Sequence, residues 1–219
     1  TRKESSAASD VYKRQDTPSV LIDTNIAKDN IKKYQTYCTD QGLNLRPHIK
    51  THKLPYFAGL QVEAGAVGIT CQKISEAEAM LDGDKSNLIK NILLSYNILG
   101  LSKLERLKKI SERVKLSVVA DNIDCIEGLS HAFSDLSEEL PILIEVDTGA
   151  LRCGVMTPQE ACDLALRVNE LPGVSFAGLM TYPPKSNSAT TMNNFFNEAK
   201  NLIESVSYTH LTLPTTPYV

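Results

Sequence analysis

The chain has 219 residues, 42% of them hydrophobic and 22% charged, and a formal net charge of −3. Such a composition suits one sizeable globular core and leaves no electrostatic footprint for nucleic acid. No apolar run approaches membrane-spanning length and no signal-peptide pattern opens the chain, so a cytoplasmic protein with no membrane partner is expected.

The ends read differently from the middle. Residues 1–15 have no apolar periodicity, and residues 206–219 follow a helical pattern that stops abruptly. The stretch at 5–15 resembles a translated transposon-type sequencing adapter, and 206–215 resembles its reverse complement. On this reading the native segment is 16–205, and Tyr208 and His210 carry no functional weight. A disordered native tail at each end is the alternative.

Residues 18–23 form a short apolar run and are read as a strand. Thr24 is placed to cap a helix reaching about residue 41, which Gly42 ends. A central strand at 43–50 follows. Strand alternation puts Arg46, His48 and Lys50 on one face and Leu45, Pro47 and Ile49 on the other. A parallel sheet buries both faces of its strands, and buried charge is costly unless paired or bound. The basic row therefore either grips a ligand or lies solvated on an edge strand.

The pattern then alternates. A helix at 55–64 leads to a strand at 66–71. Helix 75–81 opens with Ser75 and Glu78 at capping-box spacing. Strand 88–94, amphipathic basic helix 100–114, strand 116–120 and helix 123–133 come next. Strand 141–147, helix 158–171 with Thr157 as its cap, strand 174–180 and helix 187–205 complete the series. Six βα units at a roughly 25-residue repeat predict an α/β fold with a parallel sheet, either doubly wound or an incomplete (β/α)8 barrel. No Gly-x-Gly-x-x-Gly follows the first strand, which favours the barrel. The five cysteines, at 38, 71, 125, 153 and 162, lack metal-type spacing and read as free thiols, most of them buried.

Barrel active sites lie at the C-terminal ends of the strands. Those ends carry His48, Lys50, Thr51 and His52; Thr70, Cys71 and Gln72; Ser95, Tyr96 and Asn97; Asp121 and Asn122; Glu145, Asp147, Thr148 and Arg152; and Thr181 with Tyr182. Lys50 is the sharpest candidate. Partial burial beside Arg46 and His48 favours a neutral amine fit for Schiff-base chemistry; a lysine reaching solvent is the plain alternative. Arg152 either binds an anionic ligand oxygen or pairs with Asp147 to pin its loop. Tyr182 either lies against a ring, acts as acid or base, or is a plain rim aromatic. His131 falls within a helix and reads as structural.

Four stretches then stand in order: Asp16-Thr-Pro, RPHIKTHK at 46–53, GITCQKISEAE at 68–78 and EVDTGxxRCG at 145–154. Together they resemble the D-threonine aldolase and D-serine dehydratase family, within the alanine-racemase-like class of pyridoxal-phosphate enzymes. The resemblance implies an N-terminal (β/α)8 barrel, a C-terminal β-domain missing here, and a homodimer when full length. It implies a small D-amino acid substrate and, in that β-domain, ligands for a divalent metal. Lys50 matches the lysine that holds pyridoxal phosphate as an imine. Arg152 matches the arginine near its phenolic oxygen, and Tyr182 falls where a side chain meets the pyridine ring. His48 and Gln72 fall on positions lining the cofactor. The strand at 19–23 would pair with the missing β-domain.

Two departures bear on the substrate. Ala150 and Leu151 replace small or flexible residues before the arginine, and no Tyr-x-Gly-x-x-x-His pattern follows Tyr182. The resemblance points to an aldolase first, then a dehydratase, then a racemase. It also leads to the expectation that the chain as given has no turnover. A non-catalytic pyridoxal-phosphate carrier is the alternative from another class.

Overall fold

The computed structural model describes residues 20–184 and 189–206. The adapter-like stretch at 1–15, the one at 206–219 apart from Val206, and the Asp16-Thr-Pro motif lie outside the described residues. Among the described residues the order is α1 (Thr24–Asp40), a 3-10 turn (Ile49–Thr51), α2 (Pro55–Glu63), β1 (Ile69–Cys71), α3 (Ile74–Gly83), β2 (Asn91–Leu94), α4 (Leu101–Ser111), β3 (Lys115–Ala120), α5 (Ile123–Phe133), β4 (Leu140–Val146), α6 (Pro158–Glu170), β5 (Val174–Thr181) and α7 (Ala189–Val206).

The five strands form one sheet in the order β1-β2-β3-β4-β5, and every pairing is parallel. This order decides between the two architectures. A doubly wound sheet reverses direction at a switch point, whereas a barrel adds each strand beside the last. The order is the barrel's. Between β4 and β5 the ladder carries a bulge: Ile142 pairs with Phe176 but Leu143 pairs with Gly178, leaving Ala177 as the extra residue.

The core lies between the sheet and its helices. Ile69, Ile92, Leu94, Val118, Ile142 and Ile144 meet Leu107, Ile110, Ile126, Leu129, Ala165 and Val168, all essentially fully buried. The opposite face of the sheet is also covered, with Thr70, Val119 and Glu145 buried. The strand bodies are therefore mostly apolar, and polar residues gather at and past their C-terminal ends.

Several local expectations are corrected. Val20–Asp23 is not a strand: Val20 and Leu21 are exposed, and no described strand lies beside them. Asp23, not Thr24, caps α1; its Oδ1 accepts from the N–H groups of Asn25 (2.9 Å) and Ile26 (3.1 Å). An aspartate one position earlier outcompetes the threonine because its carboxylate also complements the helix dipole. The expected capping box at Ser75 is absent, for α3 starts one residue earlier with Lys73 at its cap position. Glu78 instead grips Arg106 of α4 (Nε to Oε1, 2.8 Å). Thr157 does cap α6, with a full capping box to Glu160.

The central strand at 43–50 is corrected most. It runs extended beside β1, with Val67 N–H donating to Leu45 O and Thr70 N–H to Pro47 O, and bridges β1 from His48 to Thr70 rather than joining the sheet as a full strand. At Ile49 the chain turns into a 3-10 helix, so Lys50 sits in a turn rather than on a strand face. The apolar side holds, with Leu45 and Ile49 buried. Arg46 reaches Asn91 Oδ1 (2.8 Å) across Gly68, where any Cβ would stand 2.8 Å from the guanidinium and 2.5 Å from the Asn91 carbonyl. Only glycine admits that crossing. All five cysteines are free, and Cys38, Cys71, Cys125 and Cys162 are buried.

Candidate active site

The polar strand ends form two connected groups. The first surrounds His48. Its Nδ1 accepts the Lys50 backbone N–H (3.3 Å), so a neutral ring carries its proton on Nε2. Nε2 faces Gln72 Oε1 and Ser95 Oγ, each at 3.3 Å. Burial, with the Lys50 charge nearby, holds the His48 pKa below its ordinary value, against the pull of Gln72 and Glu76. The imidazole is thus neutral near pH 7 and ties the Lys50 turn to the ends of β1 and β2. Lys50 itself is half-buried.

Glu76 locks this group from behind. It is buried in the first turn of α3, accepts the Gln72 backbone N–H (2.8 Å) and meets Lys53 Nζ (3.3 Å). It therefore links the turn after Lys50 to the residue that faces His48. Sequence reading passed over Glu76 because it stands two residues before the glutamate that fits a capping box.

The second group surrounds Asp147 and Arg152. Asp147 does not pair with the guanidinium. Its carboxylate accepts the backbone N–H groups of Gly149 (2.8 Å), Leu151 (3.1 Å) and Arg152 (2.7 Å). Burial pushes its pKa up, but these donors outweigh burial and hold it below the usual aspartate value. The Asp-Thr-Gly spacing is the available signal, since aspartate commonly bonds the backbone two residues on. Arg152 is freed to lie over the ring of Tyr182, its Cζ 4.3 Å from the ring centroid. Tyr182 is exposed at the rim, its ring beneath the guanidinium.

Around this pair, Asp121 accepts from Asn97 Nδ2 (2.7 Å), Asn122 Nδ2 (2.9 Å) and Gly154 N (3.0 Å). Thr181 Oγ1 donates to Val146 O (2.8 Å) and receives Thr148 Oγ1 (3.0 Å). Buried Glu145 accepts the Cys153 thiol (3.1 Å). Burial raises the Glu145 pKa despite that bond, and burial with the facing carboxylate pushes the Cys153 thiol up to about 11. His131 sits in α5 and is exposed, outside both groups. A separate open groove of about 430 Å³ between α1 and α2, lined by Lys28, Ile31, Lys32, Leu60 and Glu63, shares no residue with this rim.

An amine, a neutral imidazole with a carboxamide, and a guanidinium braced on a phenol ring fit an anionic aromatic aldehyde by donor chemistry. The fold is that of an α/β barrel protein, a class whose ligand sites lie at the C-terminal ends of the strands. The chain belongs to the alanine racemase N-terminal domain family, which matches residues 22–216. It is 36% identical over 173 residues to D-threonine aldolase of an Arthrobacter species, covering 79% of this chain and 45% of that one. It is 33% identical over 168 residues to 3-hydroxy-D-aspartate aldolase of Paracoccus denitrificans, covering 76% and 42%. In structure it is similar to D-threonine aldolase from Filomicrobium marinum, with a TM-score of 0.82, 30% identity, and 92% of this chain and 55% of that one covered. The chain thus spans under half the length of these curated relatives. No helix among the described residues is long and apolar enough to cross a membrane.

Proposed function

We propose that this chain is the cofactor-holding barrel of a pyridoxal-phosphate-dependent lyase acting on a D-3-hydroxy amino acid, cleaving its Cα–Cβ bond in the aldolase manner. The observation that carries the reading is the half-buried Lys50 amine, in a turn tied to His48, at the rim that also bears the Arg152–Tyr182 pair. Relatives named for aldolases of D-threonine and 3-hydroxy-D-aspartate support it, as does a more distant dehydratase of D-threo-3-hydroxyaspartate at 27% identity.

When bound, pyridoxal phosphate supplies a conjugated imine and pyridine that accept the electrons of a breaking Cα bond. Lys50 Nζ would hold the cofactor's aldehyde carbon, and as a free amine it would be placed to take or return a proton. Arg152 offers a fixed positive charge to an oxygen anion, its tilt set by the Tyr182 ring. His48, neutral with its proton on Nε2, and Gln72 line the amine's side and donate or accept without adding charge. The intact protein is proposed to act as a homodimer.

The test is an absorbance spectrum after adding pyridoxal phosphate, before and after borohydride, on wild type and Lys50→Ala. A visible protonated-imine band that borohydride makes permanent, and that the variant lacks, supports the assignment. The same behaviour in both proteins sinks it. Product analysis on D-threonine, D-3-hydroxyaspartate and D-serine then separates the reactions: glycine with an aldehyde marks the aldolase, ammonia with a keto acid the dehydratase.

A further inference from the structure

We infer that Asp121, the first residue past β3, is a positioning residue for Arg152, holding the far end of the loop from which that guanidinium projects. The inference rests on the reading of Arg152 as a cofactor contact. The loop leaves β4 at Val146 and rejoins the sheet where Val155 bridges back to Val146. Asp147 fixes its near end from within. Its far end is fixed from outside, where Asp121 Oδ2 accepts the Gly154 N–H at 3.0 Å.

The carboxylate is itself braced. Its Oδ1 takes the side-chain amides of Asn97 (2.7 Å) and Asn122 (2.9 Å), and Asn97 Oδ1 accepts the Asp121 N–H (3.2 Å). Asp121 thus joins the ends of β2, β3 and the β4 loop, with both oxygens engaged. That arrangement orients a backbone. Gly154 has φ +99°, and a Cβ there would lie 2.6 Å from the Val146 carbonyl carbon, so the loop end has one way to sit. Charge-assisted bonds to a backbone N–H are stronger than neutral ones. Two residues upstream, Arg152 inherits the fixed frame and comes to lie on Tyr182.

Asp121→Asn keeps the shape but turns one acceptor into a donor facing a donor. The experiment is a pyridoxal phosphate titration by absorbance on the intact wild-type protein, Asp121→Asn, Arg152→Ala and the double variant, with amide hydrogen exchange across 149–154. Asp121→Asn is expected to weaken the cofactor about tenfold where Arg152 is present and less than about twofold where it is absent. The Arg152 and Gly154 amides should exchange faster. Equal weakening in both backgrounds, or unchanged exchange, overturns the inference. If Arg152→Ala alone binds like wild type, the cofactor role of Arg152 fails, and the exchange result by itself decides whether Asp121 holds the loop. Should Asp121→Asn not fold, Asn97→Ala removes the brace and keeps the carboxylate; the same pattern at smaller amplitude is expected, and its absence counts against the inference.

Discussion

The two sides of the rim are held by different kinds of bond. His48's own partners are neutral and the distances long: 3.3 Å to Gln72, to Ser95 and from the Lys50 N–H, and 3.4 Å from Gln72 Nε2 to Ser95 O, while the Glu76 carboxylate braces the Gln72 backbone N–H from behind at 2.8 Å. Around Arg152 the acceptors are carboxylates and most distances run from 2.7 to 3.1 Å. Neutral bonds at such lengths contribute little, whereas carboxylates receiving backbone N–H groups are roughly twice as strong. The Arg152 side is prebuilt. The Lys50 side is held more loosely.

The contrast can be broken from the rigid side first. Gly154→Ala would force a Cβ into the Val146 and Asp147 backbone at a left-handed φ, and a loss of about 3 kcal/mol is expected in a denaturant melt. A loss under about 1 kcal/mol would mean the loop has room that its contacts deny. Asp147→Ala should cost about 2 kcal/mol by orphaning its three N–H donors. Its pH dependence has a fixed sign. The folded aspartate releases its proton more readily than the unfolded one, so acid protonates the unfolded chain first. The stabilisation is full above about pH 4, the unfolded range, and disappears as pH falls through the lower folded value. Asp147→Asn should flatten that acid limb, and an unaltered limb would rule the carboxylate out as its source.

The slack side predicts less. Gln72→Ala should cost about 1 kcal/mol or less in stability, since its backbone bond to Glu76 survives, yet should clearly weaken pyridoxal phosphate. His48 adds a shallow slope of its own. Its folded pKa lies below 6.5, so the unfolded ring charges first and stability declines as pH drops below that value. His48→Gln should lessen the decline. The smallest effect concerns Cys153, which a thiol reagent should modify slowly near pH 8 because the thiol is raised to about 11. Glu145→Gln should speed the labelling severalfold; an unchanged rate would separate the thiol from the carboxylate.

Much of the barrel was legible because its strands are mostly apolar on both faces and its helices keep one apolar stripe, a contrast that residue patterning carries. The predicted bounds of α5 match the structure, and those of β3, β4 and α6 lie within one residue. The first unit was misread because alternation was carried through Ile49, where backbone bonds to the neighbouring turn replace the ladder. Caps were misread where two candidate side chains stood within a residue or two of each other, since periodicity cannot choose between Asp23 and Thr24. The rim residues were findable from the ends of the strands, but their partners were not. That Asp147 holds backbone while Asp121 reaches across two strand ends depends on loop geometry, which no spacing of residue types encodes.

The extra residue at Ala177 works like a leap day in the β5 calendar. Up to Phe176 the even residues keep step with Leu140 and Ile142; from Leu179 the odd ones do, alongside Ile144 and Val146. Continuing that beat, Tyr182 falls in with Met180 and Glu145, on the side where Arg152 waits. Were Ala177 to take the place opposite Leu143, every later residue would turn over, and Tyr182 would swing toward the helices. Deleting Ala177 would close the ladder and leave that stack intact. The arginine's seat is thus set by a count within the strand, several residues before the rim begins.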